Sequence, residues 1–83
     1  MAEIIINLEH ILNDLGITKN KLAVEAKLRP NLISELVEGK TKAVKLDTLA
    51  KILETLNRLS REQGLSNIYD VGDLFSYNEH PTE

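Results

Sequence analysis

The stretch that decides the fold is residues 18–42, TKNKLAVEAKLRPNLISELVEGKTK. Its apolar residues recur at three- and four-residue intervals on both sides of a break near Leu28, which predicts two short amphipathic helices joined by a tight turn. Thr18 is a good N-cap for the first helix. Pro30 suits the first turn of the second, where its missing N–H would be unpaired in any case. We therefore expect a helix-turn-helix unit over about 18–39.

Helices are also predicted on both sides of this unit. Asn7 is a suitable N-cap for a helix over about 8–14, and Gly16 is its natural end. The strongest apolar period in the chain predicts a long helix that begins near Leu46 and fades around Gln63-Gly64. The apolar residues of that helix are Leu46, Leu49, Ala50, Ile52, Leu53, Leu56 and Leu59.

The two ends of the chain show short strand-like patterns. Three consecutive β-branched residues over 4–6 favour a strand, and so does the alternation over 74–77. We expect these two segments to pair, within one chain or across a dimer. Residues 70–73 are interpreted as a turn, and residues 78–83 as a disordered tail.

Length and composition restrict the class of protein. Eighty-three residues, 42% of them hydrophobic, suffice for one small domain over 1–83. The absence of cysteine excludes disulfides, thiolate zinc sites and thiol nucleophiles. His10 and His80 have no metal-spaced cluster around them, and no phosphate loop or Ser/His/Asp arrangement occurs. We therefore do not expect the protein to be an enzyme or to bind a metal or a cofactor. Without a leader or a long apolar run, we expect a cytoplasmic protein with no membrane partner.

Charge is distributed unevenly along the chain. The net charge is −3, yet residues 17–46 carry seven bases against three acids, a net of +4. Residues 47–83 carry three bases against seven acids, a net of −4. The positive charge therefore coincides with the predicted helix-turn-helix unit, where it favours a polyanionic partner.

The second helix of the unit begins with side chains that can recognise bases. Arg29 offers a bidentate donor and Asn31 an amide at an exposed helix start, a layout suited to the major groove of double-stranded DNA. Ala23 supplies the small residue needed where two helices cross closely. Together with the helix start and end signals, these features form a fairly specific helix-turn-helix pattern.

On these residues the chain resembles the Cro/CI-type helix-turn-helix family of regulators, also called lambda-repressor-like or XRE. The resemblance covers roughly residues 7–57, with a short echo at 72–75. It departs at Lys19, where many members carry glutamine, and at Lys27, where a glycine in a left-handed conformation is usual. About a dozen residues between Asn57 and Val71 are extra. The matching residues are Ile17-Thr18, Leu22-Ala23, Leu28, Ile33-Ser34, Leu36, Gly39-Lys40-Thr41-Lys42, Leu46-Asp47-Thr48-Leu49, Ile52, Leu56 and Gly72-Asp73-Leu74-Phe75.

The resemblance implies an all-α domain of four to five helices, with or without a short strand pair joining the ends. It also implies that residues at the start and outer face of the second helix read bases, and physical chemistry supports Arg29 for guanine and Asn31 for adenine. Neighbouring polar residues would grip phosphates. The implied base-reading residues are Arg29, Pro30, Asn31, Ser34 and Glu35. The phosphate-binding residues are Thr18, Lys19, Lys40, Thr41 and Lys42.

These observations predict a sequence-specific DNA-binding transcriptional regulator that acts as a homodimer. The lack of a separate effector domain favours a repressor, and the long helix and C-terminal segment are the expected dimer contacts. One alternative is an antitoxin-like module that binds a protein partner through its acidic C-terminal half. Another is a helix-turn-helix kept only as a scaffold. Arg29 could also pair with Glu25 one turn back, and Asn31 could be a local cap.

Overall fold

The computed structural model describes residues 2–41, 43–65 and 68–79. Most of this part of the chain is helical, and its two ends meet in a two-stranded antiparallel sheet. This confirms the predicted helical architecture and the pairing of the two ends, which occurs within one chain. The elements are, in chain order, β1 (Ala2–Ile6), α1 (Leu8–Leu15), α2 (Lys19–Ala26), α3 (Pro30–Glu38), α4 (Leu46–Glu62), α5 (Val71–Leu74) and β2 (Phe75–Glu79).

The core is built from the apolar stripes of α1 to α4 and is almost entirely aliphatic. Ala23 is fully buried, as expected for the small residue at which α2 and α3 cross. The aromatic exceptions are Tyr69, which is buried, and Phe75, which packs partly buried against the cluster. The buried residues of this cluster are Leu8, Ile11, Leu12, Leu15, Leu22, Ala23, Ile33, Leu36, Ile52, Leu56, Tyr69 and Leu74.

Helices α1, α2 and α3 each end in a residue with left-handed backbone. These residues are Gly16, Lys27 and Gly39, with φ of 67°, 58° and 73°. In each case the next N–H donates to the carbonyl five residues back, at 2.8 to 3.0 Å, which satisfies a carbonyl that the helix end leaves free. The predicted ends at Gly16 and Gly39 are confirmed.

The start of α1 differs from the prediction. Asn7 precedes the helix but makes no side-chain cap. Its Nδ2 donates instead to Oγ of Ser76 at 2.7 Å, and its backbone N–H donates to the carbonyl of Leu74 at 2.8 Å. Asn7 therefore ties the beginning of the chain to β2, because a partner 69 residues away in sequence supplies a bond that local cues could not reveal.

The C-terminal segment also corrects two expectations. Residues 70–73 do not form a simple turn: Asp70 caps the short helix α5 through a capping box with Asp73. Leu74 belongs to that helix and is buried, so the strand begins at Phe75 and runs to Glu79. Asn78 and Glu79 are thus part of a strand rather than of a tail, and residues 80–83 lie outside the described residues.

Helix α4 extends as far as predicted, but fewer of its apolar residues are buried than the sequence pattern predicts. Leu46 is 82% exposed, and Ala50 is exposed as well. The buried stripe begins with Ile52 and includes Thr55 and Ser60, which the apolar pattern did not include. In the first turn of α4, therefore, Leu49 packs against the core while Leu46 faces solvent.

The chain after α4 is held by two amide side chains. Asn57 Nδ2 donates to the carbonyl of Tyr69 at 3.0 Å, and its Oδ1 accepts from the N–H of Tyr69 at 2.7 Å. Gln63 Nε2 donates to the carbonyl of Leu15 at 2.7 Å, at the end of α1. The paired bonds of Asn57 fix Tyr69 in the core and direct the chain toward α5 and β2.

Candidate nucleic-acid interface

The beginning of α3 presents polar side chains to solvent from a rigid support. Ile33 and Leu36 are buried against α2, which orients the helix. Arg29, at the N-cap position, and the next two residues, Pro30 and Asn31, are exposed. A helix start with free guanidinium and amide groups can enter the major groove and pair with base edges.

The outer face of α3 changes character along its length. Ser34 is half-buried, whereas Glu35 and Glu38 are exposed one turn and two turns beyond Asn31. Within the described residues Glu35 has no ion-pair partner. Carboxylates on this stripe are repelled by phosphates, so the face favours an approach in which the N-terminal end of α3 lies deepest in the groove.

Arg29 does not pair with Glu25, the carboxylate that the sequence offered as its alternative partner. Glu25 is bound by Arg58 of α4, whose Nη2 lies 3.0 Å from Glu25 Oε1, and by Lys21 at 3.7 Å. Among the described residues Arg29 forms no ion pair. Its guanidinium therefore remains available for a ligand outside the chain.

The start of α2 provides a second set of polar groups. The Oγ1 of Thr18 accepts a hydrogen bond from the N–H of Lys21 at 3.0 Å, which confirms the predicted cap. Thr18 and Lys19 are both exposed. A capped helix start with a lysine at its first position suits a phosphate, because the hydroxyl can still donate and the helix dipole favours an anion.

The three predicted phosphate-binding residues after α3, Lys40, Thr41 and Lys42, differ in their exposure and in whether the structure describes them. Lys40 is exposed, and its Nζ lies 3.9 Å from Glu38 Oε1, a solvent-exposed pair that a phosphate can displace at little cost. The Oγ1 of Thr41 is buried without a hydrogen-bond partner among the described residues. It borders a hollow of about 240 Å³ that Ile6 and Phe75 also line. The Thr41 hydroxyl is thus turned away from a phosphate, and Lys42 lies outside the described residues.

Sequence reasoning missed the role of Arg58. Its guanidinium contacts Glu25 from 33 residues away and also binds Glu62 at 3.3 Å. By binding Glu25, Arg58 keeps this carboxylate away from Arg29 at the start of α3. No local signal marks this role, because on the α4 pattern Arg58 resembles any solvated base.

The buried α2–α3 crossing, the tight turn and the exposed start of α3 together define a helix-turn-helix protein. The comparison with protein families agrees: the model for the Cro/C1-type HTH DNA-binding domain matches residues 7–66. The chain belongs to this family of DNA-binding domains. Comparisons with curated proteins and with solved structures found no match. Within the described residues, no helix is both long and apolar enough to cross a membrane.

Proposed function

We propose that the protein is a sequence-specific transcriptional regulator that inserts α3 into the major groove of double-stranded DNA. The observation that carries this proposal is the exposed start of α3, where Arg29 forms no ion pair with any other described residue and Asn31 is open to solvent. Arg29 is assigned to a guanine and Asn31 to an adenine, each contributing about 1–3 kcal/mol of discrimination. Pro30, Ser34 and Glu35 complete the base-facing surface.

Phosphate contacts on both sides of α3 would set its register in the groove. Thr18 and Lys19 act from the start of α2, and Lys40 and Lys42 from the segment after α3. Thr41 takes part through its backbone rather than its buried hydroxyl. Each phosphate neutralised adds about −0.9 to the slope of log affinity against log salt.

We further propose that two copies bind a pseudo-palindromic site and repress transcription in the cytoplasm. One module of this size makes few base contacts, so useful affinity and specificity require two. Occupation of a promoter is sufficient to block polymerase, which makes repression the simplest outcome.

Selection of bound DNA from a random pool, at two salt concentrations, tests the proposal. Arg29→Ala and Asn31→Ala should each relax base preference at one position per half-site, whereas Lys40→Ala should weaken all sequences alike. Arg61→Ala, at the exposed end of α4, is the matched control and should change neither. An unchanged preferred site in Arg29→Ala would refute the base-reading assignment.

A second candidate is a module that binds a protein partner in the manner of an antitoxin. Its support is the −4 balance over 47–83 together with Ile68, which is 83% exposed, and Val71, which is exposed beside Asp70. A complex with a co-encoded protein that survives salt sufficient to remove DNA would support this role. If Ile68→Ser abolished that complex but left DNA binding intact, the partner-binding surface would be located at Ile68.

A further inference from the structure

The end of α4 reaches back to the connection that precedes α2. Nε2 of Gln63 donates a hydrogen bond of 2.7 Å to the carbonyl of Leu15, which lies 48 residues earlier in the chain. Leu15 is the last residue of α1, where helix geometry leaves carbonyl groups without an intrahelical donor. Gln63 therefore supplies a partner for one of these carbonyls and joins the end of α1 to the end of α4.

Gln63 is itself held in place by the end of α4. Its backbone N–H donates to the carbonyls of Leu59 and Ser60 at 3.1 and 3.2 Å, and the N–H of Leu65 donates to the carbonyl of Ser60 at 3.0 Å. Leu59 and Ser60 are buried, so this end of the helix is anchored in the core. The amide of Gln63 thus extends toward Leu15 from a fixed point.

The connection after Leu15 leads directly to the proposed phosphate contact at the start of α2. Two residues separate Leu15 from Thr18, which caps α2, and Lys19 follows at the first helical position. The N–H groups of the two intervening residues donate to carbonyls of α1, which fixes the connection relative to that helix. The bond from Gln63 relates the same corner to α4.

Arg58, five residues before Gln63, contacts the other end of α2. Its Nη2 lies 3.0 Å from Oε1 of Glu25 and 3.4 Å from the backbone carbonyl of the same residue. Two side chains near the end of α4 therefore brace α2, one at its last turn and one, through Leu15, just ahead of its start. Such support matters because a binding group must be held within about 0.5 Å of its productive position.

We propose that Gln63 is a positioning residue for DNA binding: its bond to Leu15 sets the start of α2 where Thr18 and Lys19 reach a phosphate. This inference rests on the proposed function, which assigns Thr18 and Lys19 to the backbone of DNA. Gln63 carries no charge, so it adds no long-range attraction to DNA of its own. Its effect on binding should pass through Lys19.

Gln63→Met tests the proposal, because methionine has a similar helix propensity and no N–H in its side chain. DNA binding is measured at several salt concentrations, under conditions in which circular dichroism shows the variant to be folded. The variant should bind about three- to tenfold more weakly, the loss expected for one hydrogen bond. The slope of log affinity against log salt should fall in magnitude by up to about 0.9, because the contact from Lys19 is lost.

A role in stability alone would give a different result. Gln63→Met would then lower the free energy of unfolding but leave the DNA affinity and the salt slope of the folded protein unchanged. That outcome would overturn the proposal.

A double-mutant cycle with Lys19→Ala separates positioning from direct contact with DNA. If Gln63 acts through Lys19, Gln63→Met should cost much less affinity when Lys19 is already alanine. Lys40→Ala is the matched control: Lys40 is assigned to a phosphate on the other side of α3, so its loss should add to that of Gln63→Met. Additive losses with Lys19→Ala would mean that Gln63 binds DNA on its own and would overturn the positioning role.

The Lys19→Ala variant also distinguishes failure of this inference from failure of the proposed function. A smaller salt slope in Lys19→Ala, with an unchanged slope in Gln63→Met, would refute the positioning role alone. An unchanged slope in Lys19→Ala, or no DNA binding by the unaltered protein, would refute the phosphate contact of the proposed function and the positioning role with it.

Discussion

The helix-turn-helix unit and the terminal sheet differ in the distance along the chain over which their contacts form. α2 and α3 meet across a turn of three residues, and their packing joins Leu22 and Ala23 to Ile33 and Leu36. The sheet joins the first residues to the last, and Asn7 reaches Ser76 across 69 positions. The first region is therefore specified locally, whereas the second depends on every element between its strands. Substitutions at four positions, each with its own comparison variant, test the contacts of these regions.

The largest effect is expected in the core of the helix-turn-helix unit. Ile33 is fully buried between α2 and α3, so Ile33→Ala should lower the free energy of unfolding by about 2–5 kcal/mol. Urea denaturation followed by circular dichroism measures it. Ile33→Val, at about 0.5–1.5 kcal/mol, keeps the series measurable if the alanine variant unfolds. The matched change in the sheet, Ile4→Ala, should cost less than about 1 kcal/mol because Ile4 is exposed. Equal costs would contradict the contrast between the two regions.

The next effect concerns the link between α4 and the sheet. Asn57→Ala removes both hydrogen bonds to the backbone of Tyr69 and should cost about 1–3 kcal/mol. Hydrogen exchange should show faster exchange in α5, β1 and β2 while α2 and α3 stay protected, since the sheet depends on the path of the chain after α4.

Asn13→Ala, an exposed change on α1, is the control for Asn57→Ala and should alter neither quantity. Uniform loss of protection across all helices in Asn57→Ala would mean that the two regions unfold as one unit.

The same difference explains what the sequence could and could not predict. Capping residues and helix-ending glycines such as Thr18 and Gly39 influence only the few residues next to them in sequence. Both helices of the unit, and their ends, could therefore be predicted. The candidate site residues Arg29 and Asn31 could be proposed from the sequence because they lie at a predicted helix start, and the structure places both at the exposed start of α3. The prediction that Asn7 caps α1 was wrong because its side chain binds Ser76, which is distant in sequence. The prediction of a turn over 70–73 was wrong because Asp70 and Asp73 form a capping box that begins a short helix. The freedom of Arg29 depends on Arg58, whose contact is likewise non-local.

A smaller, stabilising effect is expected at the turn of the unit. Lys27 has φ of 58°, the one positive value among the described non-glycine residues. Lys27→Gly should raise the free energy of unfolding by about 0.5–1 kcal/mol, because the left-handed penalty for a side chain exceeds the entropic cost of glycine. Gly39→Ala is the reverse test: its φ is 73° and an added Cβ would meet no clash, so a loss of stability would report backbone strain rather than a steric conflict. A loss of stability in Lys27→Gly would show that the lysine side chain contributes a contact that outweighs its strain.

The smallest effect on stability is expected at Arg58, which joins α4 to the helix-turn-helix unit. The side chain of Arg58 is 41% exposed, so Arg58→Met should lower the free energy of unfolding by only about 0.2–1 kcal/mol. The change leaves Glu25 with Lys21 as its remaining partner. Glu25 can then compete for Arg29, four residues later, and weaken DNA binding by about threefold or less. The double variant Arg58→Met/Glu25→Gln removes the freed carboxylate and should restore affinity at the same salt. If affinity falls equally in the single and double variants, Arg58 acts on DNA through its own charge rather than by holding Glu25 away from the start of α3.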